Sequence, residues 1–422
     1  MNKRRFFFVV LMLVVSCLLY TGVTAEDYTL QFWTFSEFSS GDLIEQTNIA
    51  IKEFEEEHPG VKVQVTGMGD DELLMSLTTA AMTDTMPDLF ITNAYDGAPI
   101  ANYGGITNIY DRWYAEPEEW RAQFNQTIID YYTPEEGVLY SMPYTGWAEV
   151  LYRNLTVLEE AGIDPDQPIK DWDDFISQCK QIYETTGAYC TFNNTLSFND
   201  FLPWYAGIAS IEEAVIDFEN NVTTYSADKL AETTKFLKAI EPYCASVGNS
   251  DQASKDLFIG NQMAYYVDGP WTDITFRQSD ADYDYALVPG ATEDDKGGRS
   301  GYELMAVGTG KNVDLAYELG KKLVDSESML RWASVDQRFF ANNIAAQSAI
   351  DSGSAIMATI MEASKYTLPQ QMPYFKESYP GNFFAPVLEY IQSAMEGTVD
   401  FNEGAEEAIN GMNEILEEEF GY

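Results

Sequence analysis

The 422-residue chain has little positive charge and a single histidine, His58. Its 24 Lys and Arg residues are outnumbered by 68 Asp and Glu residues, so the formal net charge at pH 7 is −44. Nucleic-acid binding depends on a basic surface that neutralises phosphates, and this composition argues against it. Ser-His-Asp and Cys-His catalysis need an imidazole beside the nucleophile, and zinc sites usually need several His or Cys ligands. We therefore expect no cofactor and no metal site.

Long apolar runs are absent apart from one at the N-terminus. Three basic residues at 3–5 precede an apolar stretch that extends from Phe6 to Tyr20. This stretch is short for a bilayer span, and a basic start followed by a short apolar segment and a small-residue cleavage site is typical of an export signal. We therefore predict that the mature chain is exported and is periplasmic or held at the cell surface.

Two cleavage sites fit this signal. Val23-Thr24-Ala25 fits an ordinary signal-peptidase site, in which case residues 1–25 are the signal peptide. Val14-Val15-Ser16-Cys17 is similar to a bacterial lipobox, in which case residues 1–16 are removed and Cys17 carries a lipid anchor. The residues that follow Cys17 are apolar where a polar tether is expected, so both possibilities stay open.

Cysteine is scarce, with four residues in the whole chain. Apart from Cys17 they are Cys179, Cys190 and Cys244, and an exported protein can form disulfides. A bond between Cys179 and Cys190 would close a short loop between a predicted helix and the next strand, and it is the first pairing to expect. A Cys190–Cys244 bond and the absence of a bond are the alternatives.

Hydrophobic residues are plentiful, at 45% of the chain, and aromatic residues make up 14%. A single hydrophobic core stops growing at about 250 to 300 residues, so a chain of this length is expected to form two lobes. Strands are predicted over residues 28–35, 61–65 and 88–92, with helices between them. The first of these helices is amphipathic, with one face formed by Leu43, Thr47, Ile51 and Phe54. Such a βαβαβ order predicts a parallel sheet covered by helices.

A second α/β unit is predicted further along the chain. Asp171 is expected to cap a helix that Gly187 ends. Further strands are predicted over residues 264–267, 285–288 and 303–307. No low-complexity linker separates the two units, so we expect the chain to cross between them more than once through short hinges.

Several short motifs, in order along nearly the whole mature chain, resemble those of the bacterial extracellular solute-binding proteins of carbohydrate ABC importers, the class that includes maltose-binding protein. Each motif alone is weak, and their shared order carries the resemblance. They are Phe32-Trp33, His58-Pro59-Gly60, Pro87-Asp88, residues 137–144 (GVLYSMPY), residues 151–154 (LYRN), residues 158–163 (LEEAGI), residues 172–175 (WDDF), residues 258–264 (FIGNQMA), Asp268-Gly269-Pro270-Trp271 and residues 308–312 (GTGKN).

The resemblance implies a two-lobe, periplasmic-binding-protein-like α/β fold. Each lobe would be a mostly parallel sheet flanked by helices, with the ligand cleft between the lobes. By analogy lobe 1 would comprise residues 28–142 and 287–338, and lobe 2 residues 143–284 and 343–422. It also implies that the protein is a monomer that closes on a neutral sugar or oligosaccharide and delivers it to the membrane permease of an ABC importer.

Candidate ligand-binding residues follow from the chemistry of sugars. An aromatic ring can cover the apolar face of a sugar, while carboxylates hydrogen-bond to its hydroxyls. Ligands of open α/β sheets also gather at the carboxyl ends of strands. In similar proteins the positions that match Trp33, Asp96, Trp204 and Trp271 line the cleft. We therefore predict that the ligand is held by aromatic and acidic residues just past strand ends, namely Trp33, Glu37, Tyr95, Asp96, Trp147, Asp200, Trp204, Asp268, Trp271, Tyr302 and Glu303.

Two other functions are considered beside sugar binding. A secreted glycoside hydrolase would need an acid and a second carboxylate about 5 to 9.5 Å apart, and nothing in the sequence singles out such a pair. We therefore predict no catalytic residues and no enzymatic activity. A peptide- or polyamine-binding protein of the same fold is the remaining alternative, because an acidic cleft favours cations.

Overall fold

A computed structural model describes residues 28–193, 197–209, 216–217, 220–247, 251–369 and 382–420. The predicted export signal and Cys17 lie outside these ranges. Within them, no helix combines the length and the apolar character that a membrane span requires.

The strands of the described residues are numbered in chain order. They are β1 (Tyr28–Phe35), β2 (Val61–Met68), β3 (Leu89–Asn93), β4 (Met142–Ala148), β5 (Val150–Asn154), β6 (Ile216–Asp217), β7 (Val222–Thr223), β8 (Tyr265–Asp268), β9 (Tyr283–Ala286), β10 (Arg299–Val307), β11 (Phe339–Phe340) and β12 (Leu368–Pro369).

The α-helices are numbered in the same way, and two short 3-10 helices occupy Ser36–Ser39 and Glu241–Tyr243. The α-helices are α1 (Gly41–Glu57), α2 (Asp70–Thr83), α3 (Ala94–Asn102), α4 (Tyr110–Ala115), α5 (Glu118–Arg121), α6 (Gln126–Tyr131), α7 (Leu155–Ala161), α8 (Trp172–Thr186), α9 (Phe198–Tyr205), α10 (Ala227–Ile240), α11 (Asp251–Ile259), α12 (Trp271–Arg277), α13 (Val313–Val324), α14 (Ser326–Ala333), α15 (Asn343–Asp351), α16 (Ala355–Ala363), α17 (Ala385–Glu396) and α18 (Phe401–Phe420).

Local sequence patterns account for several of these elements. The predicted apolar face of α1 is buried as expected, with Leu43, Ile51 and Phe54 in the core. The predicted cap of α8 is confirmed, because the Asp171 side chain accepts a hydrogen bond of 2.9 Å from the backbone N–H of Asp174.

The first sheet forms the centre of lobe 1. Its strand order is β11-β4-β10-β3-β1-β2, and β12 pairs with β10. Strands β1, β2 and β3 are parallel, as the βαβαβ pattern predicts, whereas β10 is antiparallel to both β3 and β4. Because β1, β2 and β3 run in the same direction, their carboxyl ends meet at one edge of the sheet.

The second sheet, in lobe 2, differs in strand direction from the mostly parallel sheets expected. Its order is β8-β5-β9, and β5 is antiparallel to both neighbours. Strands β8 and β9 are therefore parallel to each other and are joined by helix α12, as in a crossover unit. The difference arises because β5 brings the chain from lobe 1 and inserts between them in the opposite direction.

The hydrophobic cores follow the two sheets. One cluster of buried side chains packs on the first sheet and includes Leu30, Phe32 and Phe90. Two further clusters belong to the second unit, one around Phe175 and Trp204 and the other around the strand β5. The core on the first sheet is thus separate from the two clusters of the second unit, which agrees with the two lobes expected from chain length.

The chain passes from the first sheet to the second at Glu149, between β4 and β5. Strand β4 pairs with β10 up to Ala148, so the change of sheet comes six residues after the predicted boundary at 142–143. The chain returns through the segment that leads from β9 into Arg299 of β10. The predicted lobe boundaries stay predictions, but the described sheets place one crossing at Glu149.

A disulfide joins Cys179 of helix α8 to Cys190, with the two Cα atoms 4.7 Å apart. Cys244 is a free cysteine, and burial raises the pKa of its thiol to about 12. The disulfide closes a loop across a sequence separation of 11 residues, inside the core of lobe 2.

Replacing Cys179 and Cys190 together with alanine is expected to lower the free energy of unfolding by about 2 to 3 kcal/mol. The reason is that the bond removes loop-closure entropy from the unfolded chain. Urea denaturation of the variant against the oxidised wild type measures this loss. Cys244→Ala is the matched control, and a double variant no less stable than that control would contradict the prediction.

Candidate ligand-binding cleft

A cleft of about 310 Å³ opens at the carboxyl edge of β1, β2 and β3. Phe35 ends β1, Asn93 ends β3, and Asp70 begins the helix that follows β2. The rest of the lobe 1 side comes from later segments of the chain. The lobe 1 residues that line the cleft are Phe35, Glu37, Asp70, Asn93, Tyr95, Trp147, Arg299, Glu303 and Arg338.

Lobe 2 contributes the opposite side of the cleft. Asn199 comes from α9, Lys255 from α11 and Trp271 from the first residue of α12. Asn199 and Trp271 lie in the first turns of their helices, whereas Lys255 lies in the middle of α11. A ligand held here would contact both lobes at once.

Two tryptophan side chains form the aromatic part of the cleft. The rings of Trp147 and Trp271 lie edge to face, with centroids 5.3 Å apart. Trp147 is buried, whereas Trp271 is half-buried and keeps part of its surface open to the cleft. This leaves one indole as a support and the other as a surface available to a ligand.

Glycines let these two rings approach the backbone closely. A Cβ atom on Gly269 would lie 2.2 Å from the Trp271 ring, and one on Gly301 would lie 2.8 Å from the Trp147 ring. Any side chain at either position would therefore displace an indole. The Asp-Gly-Pro-Trp motif thus places a glycine beneath the ring of its own tryptophan.

Arg338 forms the charged floor of the cleft and is 1% exposed. Its Nε donates to Glu303 Oε1 at 2.7 Å, and its two Nη groups donate to Glu37 and to Asp336. Although burial opposes its charge, these carboxylates raise the pKa of Arg338 well above its usual value. The guanidinium also lies 4.6 Å from the centroid of the Phe38 ring. We call Arg338 with Glu37, Glu303 and Asp336 the arginine cage.

Glu303 is buried within this cage. One oxygen accepts from Arg338 and the other accepts from the Thr145 hydroxyl. Burial raises the pKa of Glu303 to about 7, although Arg338 and Thr145 act in the opposite direction. Both oxygens of this carboxylate are therefore engaged by the protein.

A second buried ion pair lies where the two crossing segments meet. Arg299 donates from Nη2 and Nε to Glu149 Oε1, at 2.6 and 2.9 Å, and its backbone N–H donates to Glu149 Oε2 at 2.8 Å. The Arg299 guanidinium also lies 5.8 Å from the centroid of the Trp147 ring. This pair holds the crossing segments together beside the ligand space.

Asp268 supports the lobe 2 wall from behind. Its carboxylate accepts from the Gly269 backbone N–H at 2.8 Å and from the Thr272 hydroxyl, which fixes the turn that carries Trp271. It also lies 3.9 Å from the ammonium group of Lys255. Asp268 thus orients two residues of the cleft.

The cleft continues into a second hollow of about 470 Å³. Glu37, Lys255 and Trp271 line both spaces, so Trp271 stands at their junction. The far wall of this second hollow includes Ser40, Asp42, Arg277 and Gln278.

Five of the residues predicted from the sequence line the first hollow together. They are Glu37, Tyr95, Trp147, Trp271 and Glu303. The other six lie elsewhere, and Asp268 is the supporting residue described above. Asp200 of α9 lies within electrostatic range of Glu149 and Arg299.

Three predicted aromatic residues pack against protein. Trp33 lies on the face of β1 opposite to Phe32 and packs half-buried against the lobe 1 core. Trp204 is buried in the lobe 2 core, where its ring contacts Phe175 and Phe236. The ring of Tyr302 packs against Tyr131 and Phe339.

Several cleft residues were missed by the sequence reasoning. The strand-end rule could have found Phe35 and Asn93, because each is the last residue of a strand. No local pattern marks Lys255, Arg299 or Arg338, which reach the cleft from distant parts of the chain.

Asp96 lies behind the cleft in α3 and is 6% exposed. Burial raises its pKa from an ordinary value of 3.8 to about 7, although Thr92 and Asn93 lower it by hydrogen bonding. The folded protein therefore binds a proton at Asp96 that the unfolded chain has lost, and this contribution to stability falls as pH rises from about 4 to about 7.

Asp96→Asn is expected to remove that part of the pH dependence, because the amide keeps the shape of the side chain and does not ionise. Thermal unfolding of both proteins between about pH 4 and about pH 8 measures the difference. Asp111→Asn, at an exposed position of α4, is the control. Parallel pH profiles for wild type and Asp96→Asn would contradict the assignment.

Known proteins resemble the chain in sequence. Residues 40–329 match the family described as bacterial extracellular solute-binding protein. A stretch of 183 residues is 26% identical to the sn-glycerol-3-phosphate-binding periplasmic protein UgpB of Shigella dysenteriae and covers 42% of this chain and 41% of that protein. The same protein of Escherichia coli strain K12 is 28% identical over 167 residues, or 39% and 37% of the two chains. The alignment thus spans about two fifths of the length of these relatives.

Solved structures share the fold over almost the whole chain. The GacH receptor of Streptomyces glaucescens superposes with a TM-score of 0.78 at 17% identity, covering 93% of this chain and 99% of that one. The maltotriose-binding protein of Thermus thermophilus gives a TM-score of 0.74 at 15% identity, covering 92% of this chain and 100% of that one. These likenesses confirm the predicted two-lobe α/β fold. Together with the family match over more than half of the sequence, they establish that the chain belongs to the bacterial extracellular solute-binding proteins.

Proposed function

We propose that this protein captures a neutral sugar or oligosaccharide in the cleft and delivers it to the permease of an ABC importer. The observation that carries the proposal is the half-buried Trp271 ring at the junction of two hollows, braced by Trp147 and facing a rim of polar side chains. An aromatic surface beside a few fixed polar groups suits the apolar face and the hydroxyls of a sugar.

The size of the cleft favours a ligand of more than one sugar unit. The two hollows measure about 310 and about 470 Å³ and share the Trp271 ring. A ligand that stacks on this ring can extend into both spaces. The structural neighbours support this, because one is described with acarbose and another with maltotriose.

Capture would proceed by closure of the two lobes about the crossing segments. Wall residues come from both lobes, so a ligand that binds both walls stabilises the closed arrangement over the open one. The protein would act as an exported monomer. The periplasmic location named for the curated relatives supports export, while the lipid anchor at Cys17 stays a prediction.

A hydrolase is disfavoured by the positions of the acids in the cleft. Glycoside hydrolysis needs two carboxylates free to act on opposite sides of the bond. Glu37 and Glu303 instead bind the same guanidinium, and the second oxygen of Glu303 is engaged by Thr145. The family to which the chain belongs is one of binding proteins.

The proposal is tested by calorimetry and thermal shift with a panel of mono- and oligosaccharides, followed by product analysis. A sugar that stabilises the protein and is recovered unchanged supports it, because a ligand that binds the native state raises the unfolding temperature. Release of a shorter sugar would indicate a hydrolase. Stabilisation by spermidine or cationic peptides, with no response to any sugar, would show that the ligand is a polyamine or a peptide instead of a sugar.

A further inference from the structure

Every cation in the described lining of the first hollow is already bound to a carboxylate. Arg338 is held in the arginine cage, and Arg299 pairs with Glu149 through two guanidinium nitrogens. Lys255 lies 3.9 Å from Asp268. The positive charge of each of these cations is therefore already balanced by a carboxylate of the protein.

The carboxylates around the hollow outnumber these cations. Glu37, Asp70 and Glu303 line it, and Asp336, Glu149 and Asp268 lie directly behind the three cations. Six carboxylates thus surround three cations, so the local charge is negative even when Glu303, whose pKa is raised to about 7, is partly protonated. An anion entering the cleft would be repelled over its whole path.

The hydrogen-bonding capacity of the arginines leads to the same result. A phosphate group is best held by the planar fork of an arginine, through two parallel N–H donors. The fork of Arg338 is divided among Glu37, Glu303 and Asp336, and that of Arg299 is directed to Glu149. Bidentate binding of a phosphate through the same donors would require one of these buried pairs to break.

We propose that the cleft rejects anionic ligands, phosphate esters included, and that Glu37, Glu303 and Asp70 set this selectivity. The inference rests on the proposed function in one respect, namely that the cleft is the ligand site. It separates this protein from the curated relatives, which are named for sn-glycerol-3-phosphate.

Asp70 and the two glutamates exclude anions in different ways. Glu37 and Glu303 occupy the donors of Arg338 that a phosphate would use. Asp70 is exposed at the first turn of α2 and adds a negative charge at the cleft wall. An anion at a helix N-terminus would otherwise be favoured, so an aspartate there reverses the local preference.

The test compares sn-glycerol 3-phosphate with glycerol at matched concentrations, by thermal shift and calorimetry on the mature wild-type chain. Wild type should show no stabilisation by the phosphate ester beyond that caused by glycerol or by added salt. Stabilisation by sn-glycerol 3-phosphate that persists at raised ionic strength would overturn the inference directly, without any variant.

Two variants assign the effect to residues. In Glu37→Gln/Glu303→Gln the concentration of sn-glycerol 3-phosphate needed for a given thermal shift should fall about tenfold or more, because the negative charge of both side chains is removed and their bonds to Arg338 lose the charge that strengthens them. Asp70→Asn, at an exposed position, should lower the concentration of sn-glycerol 3-phosphate needed for the same thermal shift about threefold. Asp71→Asn carries the same charge change next to it, outside the described lining, and should change nothing.

The outcomes separate this inference from the proposed function. If Asp70→Asn and Asp71→Asn behave alike and the double variant gains no affinity for the ester, the residue assignment is wrong. If the sugar panel binds and sn-glycerol 3-phosphate binds equally well, anion rejection is wrong while the sugar-binding proposal stands. If no sugar binds but the variants gain affinity for the ester as expected, the proposed function fails and the selectivity stands.

Discussion

Trp271→Ala is expected to weaken sugar binding severely while leaving the fold intact. The ring is half-buried, lies against Gly269 and braces edge to face on Trp147. An aromatic anchor at the centre of a binding site typically carries at least about 2 kcal/mol, which corresponds to a loss of about thirtyfold in affinity. Because Trp271 stands at the junction of both hollows, we expect the loss to affect every sugar that binds.

Calorimetry with the best sugar of the panel measures this loss, and urea denaturation shows whether the variant is folded. Trp271→Phe keeps an aromatic surface and should retain part of the affinity. Trp120→Ala is the control for loss of an indole, because Trp120 packs against Trp113 and Phe124 in lobe 1. Unchanged affinity in Trp271→Ala would remove this ring from the site and with it the main support for the proposed function.

Gly269→Ala is expected to reproduce much of this defect without touching the ring itself. The added methyl group would lie 2.2 Å from the indole as now placed, so Trp271 must move away from its position beside Trp147. Tryptophan fluorescence and sugar affinity should change together in this variant. Gly69→Ala, at a glycine with a φ of −67° and no atom within 4 Å of the added carbon, is the control for the substitution itself.

The sequence predicted local structure well where the determining contacts are local. The Asp171 cap of α8 is made within three residues, and the face of α1 follows from helical spacing. The extent of β1 explains the error about Trp33. Trp33 is paired inside the sheet with Thr66 and Phe90, whereas Phe35, two residues later on the same face, is the last residue of the strand and lines the cleft.

Long-range contacts account for what the sequence could not reveal. The arginine cage joins Arg338 to Glu37 across a separation of 301 residues and to Glu303 across 35. Arg338 lies in no recognisable motif, and no periodicity relates it to its partners. For Trp204, by contrast, the sequence held the answer. In a helix, Phe201 and Trp204 lie on the same face, and both are buried, so helical spacing predicts that Trp204 packs in the core.

Arg338→Met is expected to lower the free energy of unfolding at neutral pH by about 3 to 5 kcal/mol. Methionine fills much of the same volume, but Glu303 and Asp336, which are 3% and 0% exposed, would lose their cation. Removing one partner of a buried ion pair is costly because the remaining charge stays out of water. Urea denaturation measures the loss, and Arg112→Met, which breaks the exposed pair with Asp314, should cost less than about 1 kcal/mol.

The defect of Arg338→Met should depend on pH with a defined sign. Without the guanidinium, burial raises the folded-state pKa of Glu303 further above its unfolded value, so the folded variant binds a proton that the unfolded chain releases. Its stability relative to wild type is then greatest at low pH and is lost as pH rises, so the defect at about pH 8 should exceed that at about pH 5. Adding Glu303→Gln removes one stranded charge and should recover part of the loss at high pH. If the loss of stability is equal at both pH values and Glu303→Gln does not change it, Arg338 stabilises the protein through packing. The arginine cage would then no longer account for the electrostatics of the cleft.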